Sequence, residues 1–288
     1  MSSRVDTIWE FDAIGTHWSI ETEHALAQEV RDAVSETIDA FDRVWSRFRD
    51  DSVVSFLAAN GGEAVLPNDA DEMLSMFAEM SDATDGAVNP LIGASLEALG
   101  YDARYSLHAG EATAAPSEWR GILGWHAGAL VLARPAVIDV GALGKGRLVD
   151  LVAAAVGSAG GGLVIDAAGD ILVKGIPQRI GLEHPYDTSR VIGVWQIDDG
   201  ALCASATNRR AWGDGLHHVL DGRTGMPVRT IAATWAVAPT AMRADAASTA
   251  LFFEGGPELA HRWGVQWVRM TTDGAVEWSH GFTGELFR

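Results

Sequence analysis

Residues 138–157, IDVGALGKGRLVDLVAAAVG, limit most tightly how this chain can fold. A β-type run through Val137, Ile138 and Val140 stops at Gly141. Gly141, Gly144, Lys145 and Gly146 then fall within six residues, and a helical pattern starts at once. Glycines let a backbone approach another surface closely. A helix that begins in such a turn offers unpaired N–H groups at its first residues. The segment therefore reads as strand, glycine turn and helix, with the helix starting near Arg147.

Three chemistries can use such a turn. A P-loop is excluded: Asp139 stands six positions before Lys145 where glycine is needed, and Gly146 stands where Ser or Thr is needed. A dinucleotide turn matches in part. Gly144-x-Gly146 is followed by Val149 instead of a third glycine, although Asp166 lies twenty residues after Gly146, where a ribose-binding acid belongs. The third is a phosphate-plus-metal loop, with Lys145 as a point charge, helix N–H groups for an anion and loop carbonyls for a cation. A turn that merely packs tightly remains open beside it.

The rest of the chain is patterned in hairpins and helix pairs. GTHWSIETE (15–23) alternates like a strand. Residues 24–48 place Leu26, Val30, Val34, Ile38, Phe41, Val44, Trp45 and Phe48 on one helical face. Asp51 or Ser52 caps a following helix that Asn60-Gly61-Gly62 stops. Residues 67–86 form another helix, with Met73, Leu74, Phe77 and Met80 inward. Residues 101–135 are irregular with short strands. GGLVIDAAGDILVKG (161–175) is two strands joined at Ala168-Gly169, and VIGVWQI and GALCASA are separate strands. HHVLDGRTGMPV is a turn-rich loop, and IAATWAVAP is a strand. AMRADAASTALFFEGG is one helix ending at the glycine pair, and a last hairpin turns at Asp273-Gly274. This order predicts an α+β fold with a largely antiparallel sheet packed with helices. No linker-like stretch appears, so residues 1–288 are expected to form a single domain, with two lobes at most.

The net charge of −18 argues against nucleic acid as a partner, because such binders need a basic stripe. It also means that any phosphate ligand must be held by local devices. The lone Cys203 excludes disulfides within the chain and cysteine-based zinc clusters, and reads as a small core residue. The N-terminal residues show no apolar secretion segment and no membrane span, which points to the cytoplasm.

A second feature bears on the glycine turn. In RADAASTALFF, Asp245 and Thr249 are four apart and share one helix face. A carboxylate and a hydroxyl on one face, with a loop carbonyl, suit a hard cation. The same spacing also fits an acid in a first helical turn and a Thr bonded back into its own helix. Asp245 is expected to be partly exposed.

Taken together, seven segments resemble the ApbE family of FAD:protein flavin transferases. AIGTHWSI is similar to the family's Met-Gly-Thr strand, and WSRFRDDSVVSFLAAN to its Ser-x-Phe/Tyr-Arg-x-x-Ser segment. TDGAVNPLIG resembles Thr-x-Gly-x-Phe-Asp, and IDVGALGKGRLVD resembles Asp-Leu-Gly-Gly-Ile-Ala-Lys-Gly. IDAAGDI resembles Asn-Ala-Gly-Gly-Asp, LHHVLDGRTGMPV resembles Ser-His-Ile-x-Asp-Pro-x-Thr-Gly, and ADAASTALF resembles Ala-Asp-Ala-x-Ala-Thr-Ala. Number, order and spacing carry the resemblance more than any single motif.

The resemblance implies a T-fold-like architecture and a Mg²⁺-dependent transfer of FMN from FAD to a Ser or Thr hydroxyl of an acceptor protein, with AMP released. It implies Gly144, Asp245 and Thr249 as metal ligands and Lys145 as a phosphate-holding, catalytic residue. His218 is the implied general base, with a ring titrating near neutrality, and His217 a bystander. Thr16, Gly144, Lys145, Gly169, Asp170 and His218 are the implied FAD contacts, and Arg209 or Arg210 is a further phosphate partner. An FAD pyrophosphatase giving FMN and AMP would use nearly the same residues, and the departures from the family pattern leave open a non-catalytic flavin-binding protein. The sequence departs from the family pattern at Val88, Asn89, Leu91, Asp166, Ala168, Ala206 and Gly222, while Lys145, Asp245 and Thr249 match it. The departures therefore fall on flavin or acceptor contacts more than on the metal.

Overall fold

A computed structural model describes residues 7–67, 70–126, 128–213 and 215–287. In chain order, β1 (Ile8–Ala13) and β2 (Thr16–Thr22) form a hairpin, followed by α1 (Gln28–Trp45), α2 (Val53–Asn60), β3 (Gly62–Val65), α3 (Ala70–Ala83) and α4 (Gly93–Ala98). After β4 (Leu123–His126) and β5 (Ala129–Leu132) come α5 (Gly144–Val156), β6 (Leu163–Ala167), β7 (Asp170–His184) and β8 (Asp187–Ala206). Four two-residue strands follow: β9 (Ala211–Trp212), β10 (Leu216–His217), β11 (Leu220–Asp221) and β12 (Met226–Pro227). The chain closes with β13 (Ile231–Ala238), α6 (Ala241–Ala250), α7 (Gly256–Arg262), β14 (Gln266–Thr271), β15 (Val276–Trp278) and β16 (Glu285–Leu286).

The main sheet has the order β1-β2-β6-β7-β8-β13-β14-β15, with β16 beside β8. Its ladders are antiparallel throughout the described residues. The fold is thus α+β with a large antiparallel sheet, as the hairpin order predicts. Helices α1, α5 and α6 cover one face. Trp18, Ile20 and Ile165 from the sheet meet Val34, Leu148 and Val152 from the helices in one apolar core. Each such side chain, fully buried, contributes about 1.5–3 kcal/mol. On the other face Leu182, Trp195, Leu202 and Trp235 form a second core. A third core joins α2 and α3 to the small sheet β3-β5-β4, with Met73, Leu74, Phe77 and Met80 buried as expected. Phe41 and Trp263 pack against both this core and the helix–sheet core.

The α5–α6 contact sets the position of the site. A Cβ on Gly146 would lie 2.3 Å from the Ala241 carbonyl oxygen, so only glycine lets the two helices cross this closely. Asp150 of α5 accepts hydrogen bonds from the Ala241 and Met242 N–H groups at 2.8 and 2.9 Å. Thr240 Oγ1 accepts from Arg243 N at 3.3 Å. These three N–H groups at the start of α6 are thereby satisfied, two of them by its neighbour helix.

Three sequence expectations change. The strands read from VIGVWQI and GALCASA are one strand, β8. Gly200, at φ +121°, lets the backbone pass through Asp198-Asp199-Gly200 without leaving the sheet, and its pairing with Val173 continues the ladder. The helix after Thr240 ends at Ala250 instead of at the glycine pair, and α7 begins there. Gly255, at φ +82°, lies where a Cβ would stand 1.9 Å from the Ala83 carbonyl oxygen, so the chain must turn sharply against α3. The helix expected from 67 is α3, starting at Ala70; Asn68 and Asp69 lie outside the described residues. Ser52 caps α2 by accepting from Ser55 N, and Cys203 is fully buried, both as expected. No helix among the described residues is long and apolar enough to cross a membrane.

Candidate active site

A cleft of about 790 Å³ opens where the glycine turn, the β6–β7 turn, α6 and the loop after β10 converge. Thr16, Gly144, Lys145 and Asp170 line it together with His218, Asp245 and Thr249. Residues more than two hundred positions apart in sequence thus share one cavity. Gly169 does not line it. The residue stands beside Ala168 in the β6–β7 turn and faces a smaller adjoining hollow.

α5 begins at Gly144, three residues before the expected start at Arg147. Its first N–H groups are mostly committed within the chain. Gly144 N donates to Val140 O at 2.7 Å, Gly146 N to Asp245 Oδ2 at 2.9 Å, and Arg147 N to Leu143 O at 3.0 Å. The expected role of this helix end as an anion cradle is therefore corrected. Gly146 serves close packing against α6, and Gly144 packs against Val140.

Lys145 reaches across the cleft floor. Its Nζ donates to Ala167 O at 2.8 Å and lies 2.7 Å from Asp170 Oδ2. Asp170 is 1% exposed, and the Lys145 ammonium is the partner of its Oδ2. Asp245 is 4% exposed, which corrects the expectation of partial exposure. The close approach at Gly146 buries it. Burial first, and Asp170 second, push the Asp245 carboxyl well above its usual range, against the pull of Lys145. Two buried carboxylates thus face one ammonium. Burying a charge without compensation is costly, and such a site favours added positive charge.

Thr249 follows Asp245 by four residues on α6 and is half-buried on the cleft wall. Among the described residues no three His, Cys, Asp or Glu side chains cluster as a metal site. A hard cation here would rest on mixed oxygens, one carboxylate with a hydroxyl and a carbonyl.

His218 is neutral over the whole physiological range. Burial and the adjacent Arg210 guanidinium push its pKa down to about 3, outweighing the Arg210 backbone and Asp139, which act the other way. The expectation of a ring titrating near neutrality is corrected for the free protein. His218 Nδ1 is buried and unpartnered. His217 does not line the cleft; its Nε2 is bonded to Val228 O at 2.8 Å and its Nδ1 accepts from Val219 N at 3.3 Å, in keeping with a bystander.

Of the two arginines, Arg210 is the better placed. It lines the cleft beside His218 and donates from Nη1 to the Tyr101 hydroxyl at 3.1 Å. Arg209 also borders the cleft but pairs with Glu183 at 3.1 Å and is largely exposed. Thr16 Oγ1 donates to Ala13 O and accepts from Trp18 Nε1, so its hydroxyl holds the β1–β2 turn.

The sequence reading missed a cluster at one end of the cleft. Tyr101 stacks on Trp212 with centroids 5.5 Å apart, and Phe48 stacks on Tyr105 at 5.3 Å. Arg47 lies 4.2 Å from the Phe48 ring centroid and donates from Nε to Asp139 Oδ2 at 2.6 Å. Tyr101 and Tyr105 come from an irregular segment without periodicity, and Phe48, expected on the helical face of 24–48, lies past the end of α1 at Trp45. The aromatic content of 101–105 was the available signal.

The departures from the family pattern are also grouped. Asn89 Nδ2 donates to Pro116 O at 2.9 Å, and its Oδ1 accepts from Leu91 N at 2.9 Å. Gly222 N donates to Ala87 O at 2.8 Å, a bond a proline cannot make. A Cβ on Gly222 would stand 3.0 Å from the Asn89 Cβ. Asp166 Oδ1 accepts from Gly169 N at 3.0 Å, a bond that an Asn would make equally.

Comparison with known proteins gives one consistent result. The sequence profile of the ApbE family matches residues 14–268. The chain is 27% identical over 298 residues to an FAD:protein FMN transferase of Rhodobacter capsulatus, covering 92% of this chain and 55% of that protein. It is 24% identical over 286 residues to an FAD:protein FMN transferase of Klebsiella pneumoniae (strain 342), covering 89% of this chain and 80% of that one. The chain thus spans about half the length of the first relative. The crystal structure of the ApbE protein from Thermotoga maritima matches with a TM-score of 0.80 at 22% identity, covering 95% of this chain and 96% of that one. The flavin transferase ApbE from Vibrio cholerae matches with a TM-score of 0.77 at 20% identity, covering 96% and 97%. At these identities the two structures establish the shared fold.

Proposed function

The chain belongs to the ApbE family, and on that premise we propose that it is a Mg²⁺-dependent FAD:protein FMN transferase acting on a Ser or Thr hydroxyl of an acceptor protein. The observation that carries this reading is the convergence of Lys145, Asp170, Asp245, Thr249 and His218 on one cleft. The cleft's volume of about 790 Å³ is in the range of cofactor-sized pockets.

The residues fit a divalent cation. Two buried acids, Asp170 and Asp245, share the single Lys145 ammonium on the cleft floor. Asp245, Thr249 and the Gly144 carbonyl would hold Mg²⁺, which when bound would neutralise charge on the diphosphate oxygens.

The chain's own residues supply the rest. Lys145, anchored by Ala167 O and Asp170, presents its charge to the diphosphate. Arg210 adds a second cation beside it. His218 is a neutral imidazole and can take the proton of the acceptor hydroxyl. Its pKa rises when an anionic diphosphate lies alongside, because a nearby opposite charge favours the protonated ring. The acceptor oxygen then bonds to the phosphorus on the FMN side, the bond from that phosphorus to the bridging oxygen breaks, and AMP leaves with that oxygen. We place the reaction in the cytoplasm, with the acceptor on that side.

The test is incubation with FAD, Mg²⁺ and a candidate acceptor, with products weighed by mass spectrometry. FMN joined to the acceptor, with AMP released only when Mg²⁺ is present, supports the reading. Free FMN and AMP without an acceptor adduct makes the protein a pyrophosphatase. FAD bound without turnover makes it a carrier.

A further inference from the structure

The glycine turn is held by a pair from two distant segments of the cleft wall, Arg47 and Asp139. Arg47 lies just beyond the end of α1, and its side chain is 3% exposed. Its Nε donates to Asp139 Oδ2 at 2.6 Å, and its Nη1 donates to Tyr101 O at 2.9 Å. Asp139 uses its other oxygen on the turn itself, accepting from Gly141 N at 2.7 Å. The Asp139 N–H donates to Pro90 O at 2.9 Å. The turn therefore has little freedom of its own. A Cβ on Gly141 would stand 2.8 Å from Asp139 Oδ1, and one on Gly144 2.8 Å from Val140 Cγ2.

A purely structural ion pair of this burial is costly to desolvate and is often replaceable by apolar groups of similar volume. This one spans four chain segments and ends on the amide three residues before Gly144. Such outer partners fix the orientation of the groups that touch a ligand. We propose that Arg47 is a positioning residue: through Asp139 it fixes the Gly141–Gly146 turn and so holds Gly144 and Lys145 in register with Asp245. The ligand part of this inference rests on the flavin-transferase reading, and the positioning part does not.

The test is peptide-resolved amide hydrogen exchange on the full chain, together with FAD titration in Mg²⁺. Arg47→Met keeps the aliphatic stem and removes the guanidinium. Exchange over residues 139–147 is expected to rise about tenfold, with 163–174 unchanged, and FAD affinity to fall about tenfold. Asp139→Asn keeps an acceptor for Gly141 N and drops the charge. It is expected to give a smaller change in the same residues, and the double variant no more than Arg47→Met alone.

Uniformly faster exchange that includes 163–174, in both single variants, means a general structural role and overturns the proposal. Faster exchange at 139–147 with FAD affinity unchanged also overturns it, because the turn's position would not matter to the ligand. If Arg47→Met does not fold, Asp139→Asn decides by the same two readouts. If the wild-type chain binds no FAD, the flavin reading fails, and exchange at 139–147 still decides the positioning.

Discussion

Lys145 Nζ lies 2.7 Å from Asp170 Oδ2, while the second buried acid of the cleft, Asp245, is bonded to a backbone amide and is pulled by that same ammonium and, more weakly, by Arg210. One lysine thus balances two acids. Removing it leaves Asp170 without its ion-pair partner and takes away the ammonium on the cleft floor. Lys145→Ala is expected to weaken FAD binding by about tenfold or more, since a hydrogen bond to a charged group contributes about 1.5–3 kcal/mol. Flavin fluorescence titration checks this. Unchanged affinity would place the diphosphate elsewhere.

Asp245 separates a metal role from a structural one. Asp245→Asn keeps an oxygen to accept from Gly146 N and removes an acid whose ionisation burial and Asp170 disfavour. It should abolish Mg²⁺-dependent turnover with no fall in melting temperature. Asp245→Ala should abolish turnover and also cost about 1–3 kcal/mol, because it orphans the buried Gly146 amide. Thermal melts and Mg²⁺ titrations of the two variants test both halves. Normal turnover by the Asn variant would overturn the ligand assignment.

His218 gives a pH dependence with a definite sign. Its pKa is about 3 in the folded chain against a usual value of 6.5, so the unfolded chain binds more protons between those limits. Stability from this group is complete above pH 6.5 and is lost as pH falls toward 3. The wild type should therefore lose more melting temperature between pH 7.5 and pH 5 than His218→Gln, as calorimetry at the two pH values would show. Equal losses would mean that the ring is not buried neutral.

The sequence exposed the parts of this protein that obey a local rule. The α+β class followed from hairpin turns and amphipathic periods, and spacing put Asp245 and Thr249 on one helix face, as α6 has them. What was hidden depends on tertiary contact. Gly144–Gly146 look like an anion loop in sequence, yet Gly146 is there because Ala241 passes 2.3 Å from where its Cβ would be. Asp245 looked exposed because a first-turn acid usually is, and only the α5–α6 crossing buries it. Arg47 and Asp139 lie 92 residues apart and meet only in the fold.

Ala168 carries backbone strain on the cleft wall. Its φ of +51° is left-handed, where a side chain costs about 1–2 kcal/mol, and the family pattern has glycine there. Ala168→Gly removes that strain but adds chain entropy of about 0.5–1 kcal/mol to the unfolded state. The net expectation is a gain of about 0.5–1 kcal/mol, or roughly 2 °C in melting temperature. A fall in melting temperature would mean that the alanine methyl contributes packing that outweighs the strain.

Asn89, a departure from the family pattern, makes a pair of bonds that the family's aspartate could not make. Its side chain is 4% exposed and must donate to Pro116 O as well as accept from Leu91 N. An ionised Asp can accept but cannot donate, so the family's residue would set two oxygens against each other at 2.9 Å. Asn89→Asp should therefore destabilise the chain by about 1–3 kcal/mol at neutral pH. The sign of its pH dependence follows. A protonated carboxyl can donate to Pro116 O, so the folded state raises the new group's pKa, and the penalty shrinks as pH falls. Gly222 does not release this constraint. It packs against Asn89 and bonds through its N–H to Ala87 O, so Gly222→Pro loses that bond whichever residue occupies position 89. Urea melts at pH 7.5 and pH 5 on the Asp variant decide the point. A penalty that grows toward low pH would overturn the Pro116 bond as the reason for asparagine.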